Sequence, residues 1–470
     1  MTLARLVMPA LRAADGGFEH EAARIDEALE LGVGGFIIFG GRTDAVRALT
    51  TDLVARAGRP LLIGSDLERG AGQQFDGLTE FPPPGALGSL NDLDAIATAA
   101  ATTAREARSL GINWIFAPDA DLDIERLNPI VQSRSFGSDP QRVADAVRVW
   151  VQACEATGAL ACAKHYPGHG RTRTDSHAGL PEVNESAATL EATDAVPFAA
   201  AIDAGVAALM TAHVAFPALD PTGTPATRSR PILDHLRQVR GFNGLIVTDA
   251  LIMDGATVGK SEAEGVVDAI AAGIDVLLYP HDVRAVVEAL NRARDAGIIP
   301  RERAADALAR YERALAHVSR PAPASAPPAG AAEPIADRLL DRGLYRAELP
   351  LLTAPIELIT IDDDLGGPYA PSPSDWLPKS LAAAGVDLAP GGSRVVIVYA
   401  EPRAWKGRAG LSPAAITRLH DSAADAALII LFGHPRLMAE LPGTAPVLVA
   451  WHRQRLMQEA VGRWLAAALR

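Results

Sequence analysis

The sequence predicts an α/β protein in which a (β/α)8 TIM barrel is followed by a smaller α/β domain. Three observations carry that expectation. Eight short apolar runs of strand type alternate with amphipathic helical patterns from residue 1 to about 315. A stretch rich in proline and alanine then interrupts the alternation. Beyond it, four further apolar runs alternate again with helical segments.

The first eight runs are "ARLVMPA" from Ala4, "GGFIIF" from Gly34, "PLLIG" from Pro60, "NWIFA" from Asn113, "LACAK" from Leu160, "AALMTA" from Ala207, "GLIVTD" from Gly244 and "DVLLY" from Asp275. Continuous apolar strands separated by helices imply a parallel sheet buried on both faces, and eight strand-helix units are the number that closes a barrel. An open doubly wound sheet is the alternative, but no GxGxxG turn follows the first run. The segment "PAPASAPPAGAAEP", residues 321–334, cannot support a packed core and suits a semi-rigid linker. The expected organisation is therefore a catalytic barrel over 1–318, a linker over 319–336 and a C-terminal α/β domain over 337–470. Within that last part, "IELITI", "RVVIVY", "AALIIL" and "PVLVAW" read as strands of a parallel sheet.

Composition narrows the function classes. At 470 residues, with 49% hydrophobic and 21% charged residues, the chain is long enough for two ordinary globular cores. A formal net charge of −13 argues against general affinity for nucleic acid or an anionic membrane, since both need a basic face. The two cysteines, Cys154 and Cys162, sit in apolar contexts and imply no disulfide framework. The N-terminal stretch lacks the pattern of a signal peptide and no run approaches a membrane span, so the expectation is a cytoplasmic protein.

In a barrel, the loops at the C-terminal ends of the strands build the active-site face. Reactive residues fall there: Asp66 after the third run, Asp119 and Asp121 after the fourth, Lys164 and His165 at the fifth, His213 after the sixth and Asp249 after the seventh. The loop "AKHYPGHGRTRTDSH", residues 163–177, concentrates Lys164, His165, His169, Asp175 and His177. Three readings compete for it: a metal site, a proton-transfer site and a solvated polar loop. Pro167 and Gly168 break any helix that would set His165 and His169 on one face, which disfavours the metal. His169 then reads as a structural loop histidine. Proton transfer needs a donor held by a carboxylate and an opposed nucleophile or base. Asp175 stands two residues from His177, and Asp249 is the best opposed carboxylate, with a helix cap for "ALIMDGA" as its bland alternative. Lys164 either binds hydroxyls or pairs with a strand-end carboxylate such as Asp66 or Asp119.

The motifs "KHYPGHGRTRTDSH", "NPIVQSRSFGSDP", "ALMTAHVAFPALDPTGTPAT" and "GFNGLIVTDALIMDGA" resemble those of glycoside hydrolase family 3, specifically its β-N-acetylglucosaminidase branch. The tail "LIILFGHPRLMAELPGTAPVLVAW" resembles the family's C-terminal α/β sandwich domain, in shortened form. The resemblance implies a retaining hydrolase that releases terminal GlcNAc, with peptidoglycan fragments as a substrate source. It implies Asp249 as nucleophile, His177 as acid/base with Asp175 as its partner, and Asp66, Arg134, Lys164 and His165 as ligands of sugar hydroxyls. It implies no metal and no organic cofactor, and a carbohydrate as the only partner.

One motif departs from that branch, whose third strand is usually followed by a pattern like DxEGGRVxRF. This chain reads "DLERGAGQQF", with Ala71 and Gln74 at the arginine positions. Arg69, Arg171 and Arg173 are the cations available to compensate. Three alternatives to the hydrolase stand: a phosphorylase or transglycosidase that uses the same glycosyl-enzyme, a β-glycosidase of other sugar specificity, and a sugar-binding sensor.

Overall fold

The computed structural model describes residues 2–174, 179–320, 330–367 and 371–469. All eight apolar runs of the first part form strands. The first is broken at Pro9, which has no N–H to donate to a ladder, into β1 (Val7–Met8) and β2 (Ala10–Arg12). The others are β3 (Gly35–Phe39), β4 (Leu62–Ser65), β5 (Trp114–Ile115), β6 (Leu160–Tyr166), β7 (Ala208–Thr211), β8 (Leu245–Thr248) and β9 (Leu277–Leu278). Strands β2 to β8 make a parallel seven-stranded sheet in chain order. β1 pairs in parallel with β9, placing Val7 opposite Leu277. Val247 of β8 forms a parallel bridge with Val276, the residue before β9.

Burial explains why the strands read as unbroken apolar runs. Every residue of β4, β6, β7 and β8 is buried, so neither face needs polar side chains. The helices between them bury one stripe each. In helix Pro140–Glu155, Val143, Val147, Trp150, Val151 and Cys154 are buried at spacings of three and four. Its start is set by Pro140 in the first turn and by Asp139, whose carboxylate accepts from the N–H groups of Gln141 and Arg142.

The chain divides into two compact units. The first comprises residues 1–79, 93–124 and 135–328, and the second 80–92, 125–134 and 329–470. Segments 80–92 and 125–134, expected within the barrel domain, thus group with the second unit. That unit holds a five-stranded sheet of β10 (Leu344–Tyr345), β11 (Ile356–Asp362), β12 (Ser393–Ala400), β13 (Leu428–Gly433) and β14 (Val447–Val449), in the order β10-β14-β13-β12-β11. Strands β11 to β14 are parallel, as expected, and β10 is an antiparallel edge strand that the sequence did not announce. Helix Glu333–Asp341 begins inside the stretch read as linker. Pro334 is tolerated in its first turn, and Ile335, Ala336, Leu339 and Leu340 form its buried stripe.

Cys154 and Cys162 are buried free thiols, in agreement with the absence of a disulfide framework. Among the described residues no helix is long and apolar enough to cross a membrane.

Candidate active site

Side chains from several strand ends of the first unit meet at the carboxyl end of β6. Lys164 is buried there, with Nζ 2.7 Å from Asp66 Oδ1 and 2.7 Å from Glu68 Oε1. Two carboxylates compensate the cost of burying the ammonium. Asp66 follows β4 and keeps a third of its side chain exposed, 33%, whereas Glu68 is 6% exposed. Lys164 therefore takes the strand-end pairing with Asp66, joined by Glu68.

His165 is gripped from the other side. Its Nδ1 lies 2.7 Å from Asp121 Oδ2, and its Nε2 lies 3.9 Å from Asp249 Oδ2. An ionised Asp121 can only accept at that contact, so Nδ1 carries the proton and the ring is oriented toward Asp249. Burial opposes ionisation of Asp121, but His165, His169 and the His169 N–H at 2.6 Å hold its carboxyl below the ordinary value.

The two glycines of the loop have physical roles. Gly170 packs against the Leu122 carbonyl, and a Cβ at that position would stand 1.8 Å from its oxygen. Gly168 adopts φ +140°, where an L side chain is strained, beside Asp194. Between them His169 is buried, with Nδ1 2.7 Å from Thr172 Oγ1, so it ties the loop to itself. It fits the structural role expected of it, through a hydroxyl as well as through its own backbone.

Asp249 directly follows β8 and is 18% exposed. Its Oδ1 accepts from the N–H of Ala250 at 2.7 Å. The helix it was weighed as capping begins five residues later, at Asp254–Thr257, with Met253 at the cap position. The capping alternative is therefore excluded. His213, after β7, lies fully buried between Thr227 Oγ1, 2.8 Å from Nδ1, and the Ala250 carbonyl, 3.3 Å from Nε2. Burial pushes its pKa down to about 4 against the pull of Asp249, so the ring is neutral and its Nε2–H donates to the peptide that follows Asp249.

Asp119, Asp121 and His165 also bring donor atoms within 4.8 Å of one another, a spacing a metal ion could use. Hydrogen bonds already engage this trio, since Asp119 Oδ1 accepts from the Asp121 N–H at 2.9 Å and both Asp121 oxygens face His165 or His169. The trio shares only His165 with the histidine set considered from the sequence.

Of the remaining expected residues, Arg134 lies in the short turn Gln132–Arg134, which belongs to the second unit. Asp175 and His177 lie outside the described residues. Arg171, a candidate substitute cation, is instead committed to the framework: its Nε is 2.8 Å from the buried Asp194 and its Nη2 is 3.0 Å from Thr193 Oγ1. Gln74, at a position where the branch carries arginine, bonds main chain through Gly40 N–H at 3.1 Å and the Asp66 carbonyl at 3.4 Å.

The family model described as "Glycosyl hydrolase family 3 N terminal domain" matches residues 3–314, more than half of the chain. The chain belongs to glycosyl hydrolase family 3. A protein from Chromobacterium violaceum named beta-hexosaminidase is 38% identical to this family 3 chain over 286 residues, 58% of this chain and 78% of that one. One from Bordetella avium with the same name is 35% identical over 272 residues, 55% and 76% of the two chains. A solved structure of a family 3 β-N-acetylglucosaminidase from Paenibacillus sp. superposes with a TM-score of 0.87 at 27% identity, covering 100% of this chain and 96% of the other.

Glu68 and the orienting role of Asp121 were missed from the sequence. The signal for Glu68 was its place two residues after Asp66. For Asp121 there was none, because its partner His165 is 44 residues away.

Proposed function

We propose that this family 3 protein is a retaining β-N-acetylhexosaminidase that releases terminal GlcNAc by double displacement. The observation that carries the reading is the placement of Asp249: a partly exposed carboxylate at a strand end, anchored by the Ala250 N–H and facing His165 Nε2. Asp249 attacks the anomeric carbon while the bond to the leaving oxygen breaks, and His177, paired with Asp175, gives that oxygen its proton. Neutral His177 then takes a proton from water, whose oxygen displaces Asp249 and frees the sugar with net retention. A neutral imidazole suits this position because it adds no second negative charge beside Asp249. Asp66, Lys164 and His165 hold the sugar hydroxyls. No step needs a metal or cofactor.

The same reading takes the catalytic domain, about residues 1–318, as a closed (β/α)8 barrel, joined through a linker to an α/β sandwich domain. Closure is supported by pairings on both sides of the first run, from β2 to β3 and from β1 to β9, and by the bridge from Val247 to Val276. As to the sugar's neighbour, Gln74 and Arg171 are both engaged with the framework, which favours a neutral aglycone over an anionic one.

A fluorinated GlcNAc donor with a good leaving group tests the nucleophile: peptide mapping should find the label on Asp249, and label elsewhere would sink the assignment. Product analysis with and without phosphate separates hydrolysis from phosphorolysis. Replacing His177 with Ala should cost far more with poor leaving groups than with nitrophenolates, and equal losses would place the acid elsewhere.

A further inference from the structure

A cavity of about 430 Å³ lies in the first unit on the helix-facing side of β6. Tyr166 and Pro167 at the strand's end form its floor, and Leu190, Leu219, Ile232 and Arg240 are among its walls. Asp66, Lys164, His165 and Asp249 do not line it, so it is separate from the site described above. The Tyr166 ring packs edge-on against Phe198 of helix Ala195–Asp203, with centroids 5.4 Å apart, which orients it toward the helices.

Two features make this cavity more than a packing gap. Tyr166 is only 4% exposed, yet among the described residues its hydroxyl makes no hydrogen bond, and it borders the cavity. That hydroxyl opens onto the cavity instead of being sealed in the core, so the head of a ligand can reach it as donor or acceptor. Burial also pushes the phenol's pKa up, so it remains an O–H that both donates and accepts. The second feature is charge compensation. Glu191, on helix Ala187–Ala192, pairs with Arg240, which follows His235–Val239, and both line the cavity. Their charges cancel, so an ionic head would find no uncompensated partner in that pair. His235 is the fourth polar residue of the lining.

We propose that this cavity is a binding site for a neutral amphiphile, with an apolar alkyl-aryl body against Leu190, Leu219 and Ile232 and a hydroxyl-type head on Tyr166. A dry apolar cavity of roughly 150 Å³ holds benzene, so this one suits a molecule of about ten to fifteen non-hydrogen atoms.

The probe is 4-butylphenol, titrated onto the full chain at pH 8 by calorimetry and by thermal shift, with 4-butylbenzoate as the charged control. Saturable binding that raises Tm is expected for the phenol, with binding at least about tenfold weaker for the benzoate. Tyr166→Phe should weaken binding by about five- to tenfold, the usual size of one lost hydrogen bond. Ala188→Trp, which fills the cavity, should abolish it while glycosidase activity stays at the wild-type level; Ala187→Leu serves if the larger substitution does not fold. A wild type that does not bind the phenol, a benzoate that binds as tightly, or equal binding by the wild type and the cavity variants would each overturn the assignment.

Discussion

The two ends of the seven-stranded sheet both bury charge, and they treat it differently. At the amino ends, Asp275 is fully buried and saturated: Oδ2 accepts from the Ile246 N–H at 3.0 Å and from Arg237, and Oδ1 lies 2.6 Å from Arg303 and 3.4 Å from Arg310. Glu155 Oε1 likewise accepts from the N–H groups of Ala161 at 3.0 Å and Ala207 at 2.9 Å, pinning the starts of β6 and β7. At the carboxyl ends two carboxylates stay partly open. Asp249 keeps 18% and Asp66 33% of the side chain exposed, while Lys164 and His165 beside them present only an edge and Asp121 is fully enclosed. A charge that only has to hold strands together is enclosed by partners. One that has to meet a substrate is anchored and left accessible.

This contrast predicts which substitutions cost activity and which cost stability. The largest effect belongs to Asp249→Ala, which should lower kcat on the order of 10⁴-fold. Its urea midpoint should stay near the wild-type value, because the side chain is partly exposed and its Oδ1 accepts from the adjacent Ala250 N–H. A parallel loss of stability would move Asp249 into the framework class.

Asp275→Ala should do the reverse. It leaves Arg237, Arg303 and Arg310 buried beside no counter-charge, for a loss of about 3–5 kcal/mol in urea unfolding. The protein that remains folded should keep its wild-type kcat. A fall in kcat at full folding would erase the distinction between the two ends.

Two buried groups sharpen the comparison through pH. Burial raises the Glu155 pKa to about 7, against hydrogen bonds from Ala161 and Ala207 that lower it, from an ordinary value of 4.5. Its folded form therefore holds a proton that the unfolded chain releases, and its contribution to stability, complete below pH 4.5, is lost as the pH rises to 7. Glu155→Gln keeps an oxygen for both N–H groups without the charge. Its stability relative to wild type should be unchanged near pH 4.5, rise between pH 4.5 and 7, and level off above pH 7 at a gain of about 1–3 kcal/mol. A gain already complete at pH 4.5 would contradict this.

His213 behaves in the opposite sense at the other end. Its folded pKa near 4 lies below its ordinary 6.5, so its contribution is complete above pH 6.5 and is lost as the pH falls to 4. As a positioning residue for Asp249 it should have a much smaller catalytic effect than Asp249 itself. His213→Phe removes the hydrogen bond to the Ala250 carbonyl and should lower kcat about tenfold with KM unchanged. The acid-side loss of stability should also diminish in that variant. A wild-type kcat would leave His213 with packing alone.

Much of the fold was legible because burial on both faces writes itself as unbroken apolar runs. All eight runs of the first part and all four of the second became strands. β10 escaped because it is two residues long, partly exposed and at an edge, where nothing enforces a pattern. The helix start at Asp139 and Pro140 is local in the same way, whereas Gly170 answers to the Leu122 carbonyl, far away in the chain.

The sequence by itself determined which residue types stand at the strand ends, and through its motifs it pointed to the family and to Asp249. It left Asp249 divided between nucleophile and helix cap, and only the fold removed the cap, by starting the next helix at Asp254. Tertiary structure alone paired Lys164 with Asp66 and Glu68, turned His165 between Asp121 and Asp249, and committed Arg171 to Asp194. It also grouped segments 80–92 and 125–134 with the second unit, which no change of composition marks. The physical reason is the range of the interactions. Caps, turns and strand periodicity depend on neighbours a few residues away, whereas Lys164 meets Asp66 across 98 positions, a separation that only the side-by-side pairing of β4, β5 and β6 brings to hydrogen-bond distance.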